Sequence, residues 1–267
     1  METSISIAIG ETDSRRTGGQ DVLDWRVEPL HAAEPAERAS SCSTCHLRPV
    51  CLPSNLGTEA LAKFDALTRG KRKVKRHGAL YRRGDPFHSL YVVRSGSFKS
   101  VGFAGFERQK VTGLYLPADI MGLDAIGTRV HDYDAVALED AEVCIVPYVR
   151  LTQLTLRMPE LQGRLLQALS GDIVRDRGLM LRLGAMNAQQ RVAGFLLALS
   201  ARYQKLGYAG TRFSVRLARR EIASYLGLTV ETVCRLLRRL QRDGAVESHS
   251  REMELKDVPA LRKLVGY

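Results

Sequence analysis

The sequence predicts an α+β fold in which an antiparallel β-barrel or sandwich is followed by one long helix and a group of shorter helices. Residues 74–149 alternate short apolar runs with Gly, Asp and Pro, which is typical of antiparallel strands joined by tight turns. Residues 159–186 carry apolar side chains at helical spacing, and no proline interrupts them after Pro159. Residues 188–267 hold three amphipathic helical patterns, the first at Gln189–Gln204, and end in a short β-pair around Ser248–Ser250.

Length and composition place the chain among globular proteins of about two domains. It has 267 residues, of which 45% are hydrophobic and 26% charged, and a domain commonly has ~150 residues. No apolar run approaches the ~20 residues of a membrane span, so an integral membrane protein is excluded. No basic segment precedes the short apolar stretch Ile5–Ile9, so we expect no secretory signal and a cytoplasmic location.

Positive charge is concentrated beyond the N-terminal residues. The formal net charge is +11, whereas residues 1–41 carry eight acids and four arginines, so that the remainder carries +15. Residues 1–41 also contain few large apolar side chains, and we expect them to form a disordered arm. A strongly basic remainder predicts a polyanionic partner such as nucleic acid, the alternative being a basic surface that only favours solubility.

The pattern over residues 159–187 predicts a dimerisation helix. Its apolar residues follow one another at steps of four, four, seven and three, close to the 3.5-residue period of a coiled-coil seam, at Leu165, Leu169, Ile173, Met180 and Leu183. The step of seven skips one seam position, which Asp176 occupies. The opposite face is too polar for burial between two domains, because it holds Arg164, Arg175 and Arg182. The alternative is a helix packed on its own β-domain, with Asp176 at a solvated edge.

Residues 219–236 follow the pattern of a helix-turn-helix. Ala223 is small enough for a second helix to cross it closely, and Gly227 suits the positive φ that ends the first helix. Thr229 can cap the second helix. Apolar residues at the inward positions form the wedge between the helices, namely Ile222, Leu226, Leu228, Val233 and Leu236. With the β-pair as its wing, the segment 188–267 is predicted to form a winged helix-turn-helix domain.

The charge of this domain predicts DNA as the partner. Residues 211–244 hold eight arginines against three acids, and arginine supplies phosphate contacts that contribute much of the affinity for DNA. The first turn of the second helix, from Val230 to Arg235, is expected to meet base edges in the major groove. There Glu231 can accept from a cytosine amine and Arg235 can bind guanine, whereas Arg239 lies further along the helix. Surface salt bridges are the alternative for each.

Four of the five cysteines predict a metal centre. Cys42, Cys45 and Cys51 have the spacing Cys-x2-Cys-x5-Cys, which in a cytoplasmic protein favours thiolate ligation over structural disulfides. Either Cys144, at the end of a predicted strand, or His46 can supply a fourth ligand. Zinc, an iron–sulfur cluster and a redox-active pair are all compatible with this pattern. The sequence has no second Cys-x2-Cys motif, which weakens the zinc interpretation.

These features together resemble the FNR branch of the cyclic-AMP receptor protein family, a group of oxygen-responsive transcription regulators. The resemblance extends from residue 42 to residue 267. The cysteine spacing matches, with 92 residues between Cys51 and Cys144. Further matches are the stretches 118–126, 169–173 and 226–232.

The resemblance implies a cyclic-nucleotide-binding-like jelly roll over residues 42–158. It implies a [4Fe–4S] cluster on all four of the cysteines Cys42, Cys45, Cys51 and Cys144. It also implies a homodimer whose switch includes Ile173 and Asp176, and which loosens when oxygen converts the cluster. Its partners would be double-stranded DNA with a site resembling TTGAT-N4-ATCAA, and RNA polymerase. No cyclic nucleotide is implied, because Gly127–Asp134 lacks the Arg-Ser-Ala of the cyclic-AMP relatives.

One further position matches the FNR branch, and two positions depart from its pattern. Val230 stands where the cyclic-AMP relatives have Arg, as in the FNR branch. Cys234 stands where the family usually has Ser among the residues expected to contact DNA, so the preference for one base of the site is expected to differ. Val50 precedes Cys51 where Leu is common, which bears on the oxygen sensitivity of the cluster.

The sequence gives no indication of an enzyme. It holds no nucleophile elbow, phosphate-binding loop or zinc-protease helix motif, and its six histidines are scattered. Two regulatory hypotheses remain. The first is a DNA-binding regulator switched by an iron–sulfur cluster, and the second is one that contains structural zinc or responds through thiol redox chemistry.

Overall fold

The computed structural model describes residues 41–68, 70–104 and 108–266. The predicted N-terminal arm lies outside the described residues, except for Ser41 at its end. Among the helices in these ranges, none has the length and apolar character needed to cross a membrane.

Eight strands between residues 71 and 147 form the two sheets of an antiparallel jelly roll, which confirms the predicted β-domain. The strands are β1 (Lys71–Val74), β2 (Ala79–Tyr81), β3 (Ser89–Ser95), β4 (Phe98–Ala104), β5 (Arg108–Tyr115), β6 (Ile120–Met121), β7 (Asp134–Ala137) and β8 (Ala141–Pro147). Their orders are β1-β8-β3-β6 and β2-β7-β4-β5. Alternate side chains of β7 are buried, as expected for a sheet with one face on the core. The strands begin at Lys71 and end at Pro147, slightly earlier than the predicted 74–149.

Apolar and aromatic side chains fill the interior of the roll. Its buried members include Leu80, Val93, Phe98 and Met121. Tyr81 belongs to the same cluster and stacks on His131, with 3.7 Å between the ring centroids. The imidazole of His131 is 2% exposed, so its ring serves as part of the packed interior.

A second core joins the cysteine segment to the long helix. It includes residues from helix α1 (Thr58–Leu67), helix α2 (Tyr148–Thr155) and helix α3 (Pro159–Ala185). The buried side chains that meet there include Leu52, Phe64, Val146, Leu161 and Leu165. Helix α3 confirms the predicted long helix, with Pro159 in its first turn. Helices α1 and α2 are not predicted by the sequence pattern, because each is only ten or eight residues long and too short for a clear period.

The C-terminal domain begins with helix α4 (Ala188–Lys205), close to the predicted Gln189–Gln204. Its other elements are strand β9 (Arg212–Ser214), helix α5 (Arg219–Leu226), helix α6 (Val230–Arg242), strands β10 (Val246–His249) and β11 (Glu252–Leu255), and helix α7 (Val258–Val265). The wing is a three-stranded sheet in the order β10-β11-β9, so the predicted pair gains β9 as a third strand. Helix α7 also lies beyond what the sequence pattern predicts.

Candidate cysteine site and nucleic-acid interface

One cavity brings together all four of the cysteines predicted as ligands. Cys42, Cys45, Cys51 and Cys144 line it together with apolar side chains that include Leu47, Phe64, Val92 and Val146. Three of the four thiols also pack against the second core, namely Cys42, Cys51 and Cys144. His46, the other predicted source of a fourth ligand, is exposed and does not line the cavity.

Short turns and one carboxylate position the three N-terminal cysteines. Cys42 begins a 3₁₀ turn, and its backbone N–H donates to Asp65 Oδ1 of α1 at 2.9 Å. Ser41 Oγ donates to the other oxygen of Asp65 at 2.5 Å. Cys51 follows a second 3₁₀ turn, and its N–H donates to the carbonyl of Leu47 at 2.9 Å. The sequence gives no signal for Asp65, which lies 23 residues from Cys42.

Strand pairing positions the fourth cysteine. Cys144 lies in β8, opposite Lys71 of β1 on one side and Val92 of β3 on the other. Because β8 is an inner strand of its sheet, the backbone at Cys144 is held from both sides. The sheet therefore presents a fixed thiol to the cysteine-bearing turns.

Burial makes three of the four thiols poor acids. It raises the pKa of Cys42 to about 12, and the neighbouring Asp65 acts in the same direction. Burial likewise raises the pKa of Cys51 to about 12. Burial also raises the pKa of Cys144, whereas the positive charge of Arg94 opposes this shift. A cationic centre that binds thiolates would therefore have to displace protons from buried sulfurs.

Arg94 is a cavity residue that the sequence analysis does not single out. Its Nη1 lies 4.0 Å from Cys45 Sγ, and its Nε forms an ion pair with Glu142 Oε2 at 2.9 Å. Both side chains of this pair are about one-fifth exposed, at 20% and 19%. The guanidinium is thus held by Glu142 at the edge of the thiol cluster, where it supplies positive charge.

The donor set suits a thiolate-bound centre. Four soft sulfur donors, a largely apolar wall and nearby cations are the features by which proteins hold and tune iron–sulfur clusters. Within the described ranges, no group of three or more His, Cys, Asp or Glu side chains is placed to hold one metal ion. Cys234 lies in α6 and does not line the cavity.

The helix-turn-helix has the local geometry that its sequence predicts. Gly227 ends α5 with φ of 62°, the left-handed conformation that glycine adopts without strain. Thr229 Oγ1 accepts from Thr232 N at 3.2 Å and so caps α6. Ala223 is 3% exposed at the crossing of the two helices. The predicted wedge is buried at four positions, namely Ile222, Leu226, Val233 and Leu236, and Leu228 packs against it half-buried.

The outer face of α6 is free to meet a partner. Glu231, Arg235 and Arg239 are exposed, and Val230 is 45% exposed. Cys234 is half-buried beside them. Arg239 has one acidic neighbour, Asp243, with 3.9 Å between Nε and Oδ2. An exposed pair at this distance contributes little, so Arg239 remains available to a phosphate.

The C-terminal domain is fastened to the jelly roll by a core and by polar bridges. Side chains from the roll, including Val111, Leu114 and Leu138, belong to the same buried cluster as Ile222 and Leu226 of α5. The backbone N–H of Val111 donates to Ser224 Oγ at 3.0 Å. Further bridges are the ion pairs Arg202–Asp119 and Arg216–Glu139.

Lys99 and Glu221 form the most buried of the bridging ion pairs described. Lys99 Nζ of β4 lies 2.5 Å from Glu221 Oε1 of α5, and the side chains are 17% and 9% exposed. Glu221 Oε2 also accepts from Ala218 N at 2.7 Å, at the start of α5. Although burial opposes the effect, the hydrogen bonds from Lys99 and Ala218 hold the pKa of Glu221 below its ordinary value. One carboxylate thus joins the two domains and caps the first helix of the motif.

Helix α3 leaves two of its five predicted apolar seam residues exposed within one chain, whereas Leu169 packs against the second core and Leu183 is half-buried. Ile173 is 51% exposed and Met180 is 71% exposed, whereas Leu165 is buried in the second core. Asp176 is exposed between them. Arg175 forms its ion pair with Asp172, and in the described part of the chain Asp176 has no ion-pair partner. Partial burial raises the pKa of Asp176, with Arg175 opposing the shift.

Comparison with known proteins identifies the class. Residues 71–157 match the family model of the cyclic nucleotide-binding domain, and residues 190–264 match that of the Crp-like helix-turn-helix domain. The chain belongs to the CRP/FNR family of transcription regulators, whose members bind DNA through this helix-turn-helix and are not enzymes.

This chain aligns with individual relatives over nearly their whole length. The chain is 40% identical over 228 residues to the transcriptional regulatory protein btr of Bordetella pertussis, covering 85% of this chain and 94% of that protein. It is 34% identical over 229 residues to the fumarate and nitrate reduction regulatory protein of Escherichia coli K12, covering 86% and 92%. The solved structure of FixK2 from Bradyrhizobium japonicum superimposes with a TM-score of 0.68 at 27% identity, covering 74% of this chain and 97% of that one.

We predict that Glu221→Gln destabilises the protein by ~1–3 kcal/mol at pH 7, because the buried ammonium of Lys99 loses its charged partner. Folding lowers the pKa of Glu221, so its carboxylate stabilises the folded state at pH values above its ordinary pKa of 4.5. This stabilisation is lost as the pH falls through the pKa that Glu221 has in the folded state. The difference between parent and variant should therefore shrink as the pH drops below 4.5. Urea unfolding over a pH series measures it.

Glu59→Gln is the matched control, since Glu59 pairs with Lys63 in solvent on α1. It should change the unfolding midpoint little at any pH. Equal effects of the two substitutions would show that the Lys99–Glu221 bridge does not hold the domains together.

Proposed function

We propose that this CRP/FNR regulator senses oxygen and controls anaerobic gene expression, with a [4Fe–4S] cluster held by Cys42, Cys45, Cys51 and Cys144. The observation that carries the proposal is the single cavity lined by all four thiols. When bound, such a cluster supplies an oxygen-labile centre held by thiolate ligands. The relative from Escherichia coli is named for fumarate and nitrate reduction, which supports an anaerobic response here.

The chain's own contacts offer a route from this cavity to the long helix. Leu52, which follows Cys51, belongs to the same buried core as Leu161 and Leu165 of α3. Arg164 Nε of α3 donates to the carbonyl of Ser54 at 3.2 Å. A change in the order of the cysteine segment would therefore reach α3 through packed side chains and one hydrogen bond, and so bias an equilibrium of the helix.

We propose that α3 forms a two-fold homodimer through its exposed apolar residues, with Ile173 and Asp176 at the switch. The large apolar side chains of Ile173 and Met180 are exposed on α3, and covering them with a second copy of the chain is more favourable than leaving them in water. Two Asp176 carboxylates brought together repel each other, which would hold the clusterless chain near the balance between monomer and dimer.

The proposed DNA site is two-fold and resembles TTGAT-N4-ATCAA. Val230, Glu231, Cys234 and Arg235 would face the bases, whereas Arg239 would contact phosphate. The exposure of this face of α6 supports the assignment. RNA polymerase is proposed as the protein partner on the promoter.

We also propose that the jelly roll of this chain does not use a cyclic nucleotide. The stretch Gly127–Asp134 lacks Arg-Ser-Ala, and Tyr81, Phe98 and His131 pack in the interior of the roll. These bulky rings leave the interior occupied by the protein's own side chains, and a cyclic nucleotide would have to displace them.

Removal of any one ligand thiol should destroy the cluster, since thiolates hold all of its irons. We expect Cys51→Ser and Cys144→Ala to abolish the visible absorption of protein purified without oxygen, together with its iron and sulfide. Cys234→Ser, the matched control outside the cavity, should retain both. Full iron content in the Cys144 variant would remove that residue from the ligand set, and a colourless parent with one zinc ion would favour the zinc-containing alternative.

Substitution along α6 should separate base recognition from phosphate binding. Arg235→Ala is expected to lose ~1–3 kcal/mol at the specific site and to relax base preference. Arg239→Ala should weaken binding to all sequences alike and reduce the salt dependence. Titrations of specific and random DNA at several salt concentrations measure both effects.

Arg262→Ala on α7 controls for the loss of one positive charge, since Arg262 is exposed outside the helix-turn-helix. It should leave the preference for the specific site unchanged. If Arg235→Ala lowers affinity equally for specific and random DNA, the placement of α6 in the major groove is wrong.

Asp176→Ala should make the clusterless protein dimeric and able to bind DNA in air, because the repulsion across the seam is removed. Sedimentation of aerobically purified protein measures the oligomeric state. Glu160→Ala, at the start of the same helix, should leave the sedimentation of the parent unchanged. If the Asp176 variant stays as monomeric as the parent, the seam assignment fails.

A further inference from the structure

A cleft that is open to solvent lies beside the cysteine cavity. Its walls come from the cysteine segment, the turn before β6, the flank of α3 and the end of α4. Cys51 lines both this cleft and the cysteine cavity. We refer to it as the cationic cleft, after the three basic residues that line it, Arg164, Arg175 and Lys205.

The walls of the cationic cleft carry more positive charge than their acids neutralise. The one acid that lines it, Asp119, is already engaged by an ion pair with Arg202 and by the backbone N–H of Leu116 at 2.6 Å. Arg175 pairs with Asp172, which lies outside the lining. The positive charges of Arg164 and Lys205 remain to be balanced.

Arg164 and Lys205 have no carboxylate within ion-pair distance among the residues that the structure describes. Arg164 instead donates to two neutral oxygens, the carbonyl of Ser54 at 3.2 Å and Gln167 Oε1 at 3.0 Å. Lys205 is the last residue of α4 and is exposed. A guanidinium that is held in place by neutral acceptors keeps its charge and its remaining N–H groups for a ligand.

Arg175, one cation of the cationic cleft, lies away from Ile173 of the proposed dimer seam. At about 100° per residue along a helix, Arg175 lies about 160° around α3 from Ile173. Arg175 therefore lies on the flank of α3 opposite Ile173, away from this residue of the proposed seam.

We propose that the cationic cleft binds a small polyanion that carries two or more carboxylate or phosphate groups. Guanidinium forks match the geometry of both anions, and cations on separate helices suit a ligand with anionic groups at two ends. Such a ligand would lie against Cys51 and Leu52, and it would order the segment that carries three of the cysteines. Ligand binding in the cleft would thus be a second signal to the regulator. By linkage, an ordered cysteine segment would in turn strengthen ligand binding. Binding itself does not depend on the proposed cluster.

Calorimetric titration of the full-length, aerobically purified protein with tripolyphosphate and with citrate tests the proposal. We expect saturable binding of at least one probe, and a loss of tenfold or more in affinity for the double variant Arg164→Gln/Lys205→Gln. The charge-matched control Arg157→Gln/Arg262→Gln, with both residues exposed and outside the cleft, should bind as the parent does. Binding of citrate alone identifies a carboxylate ligand, and binding of tripolyphosphate alone identifies a phosphate ligand.

Hydrogen exchange locates the bound probe. Addition of the probe should slow exchange in residues 49–54 and 118–120, which belong to the walls of the cleft. The single variant Lys205→Glu, at an exposed helix end, keeps the test valid if the double variant fails to fold, and it should lose this protection. Absence of saturable binding, equal affinity of Lys205→Glu and parent, or protection confined to residues 211–244 would overturn the proposal. None of these results bears on whether the cysteines bind a cluster.

Discussion

One shared apolar core is the constraint on which the rest of this structure depends. In it, Leu52 of the cysteine segment, Phe64 of α1 and Val146 of β8 pack against Leu161 and Leu165 at the start of α3. Burial of side chains of this size contributes about 1.5–3 kcal/mol each, so the segment cannot leave the sheet or the helix without a large loss of stability. Cys42, Cys51 and Cys144 pack against the same core, which connects them to the helix proposed to form the dimer.

A second connection extends from the jelly roll to the DNA-binding domain. The bridge between Lys99 and Glu221 is buried, and Glu221 also accepts from the start of α5. The apolar contacts of Val111 and Leu114 extend the core of the C-terminal domain onto the sheet. Because the helix-turn-helix is fixed to the roll in this way, a movement of α3 would carry the roll and the recognition helix together. This is the arrangement that a switch based on dimer geometry requires.

The two sites beside the cysteine segment differ in chemistry and so suit different inputs. The cysteine cavity is lined by four sulfurs and mostly apolar side chains, which favour a soft metal centre over a hydrated ion. The cationic cleft is open and basic, and neutral oxygens hold Arg164 in place while Asp172 holds Arg175. Cys51 lines both sites, so this residue would connect the proposed cluster to the proposed anion ligand.

The sequence by itself determined the elements whose signals are local. The helix-turn-helix follows from short-range rules, because the positive φ of Gly227, the cap of Thr229 and the wedge each depend on neighbours a few residues away. The long helix follows from its helical spacing, and the antiparallel strands follow from short apolar runs bounded by Gly, Asp and Pro, whereas the jelly roll was implied by the family resemblance. Only the tertiary structure decided how Asp65 anchors Cys42, where Arg94 meets Cys45, and how Lys99 meets Glu221, since these partners lie 23, 49 and 122 residues apart. Such contacts arise from the packing of distant segments, and no spacing rule along the chain encodes them.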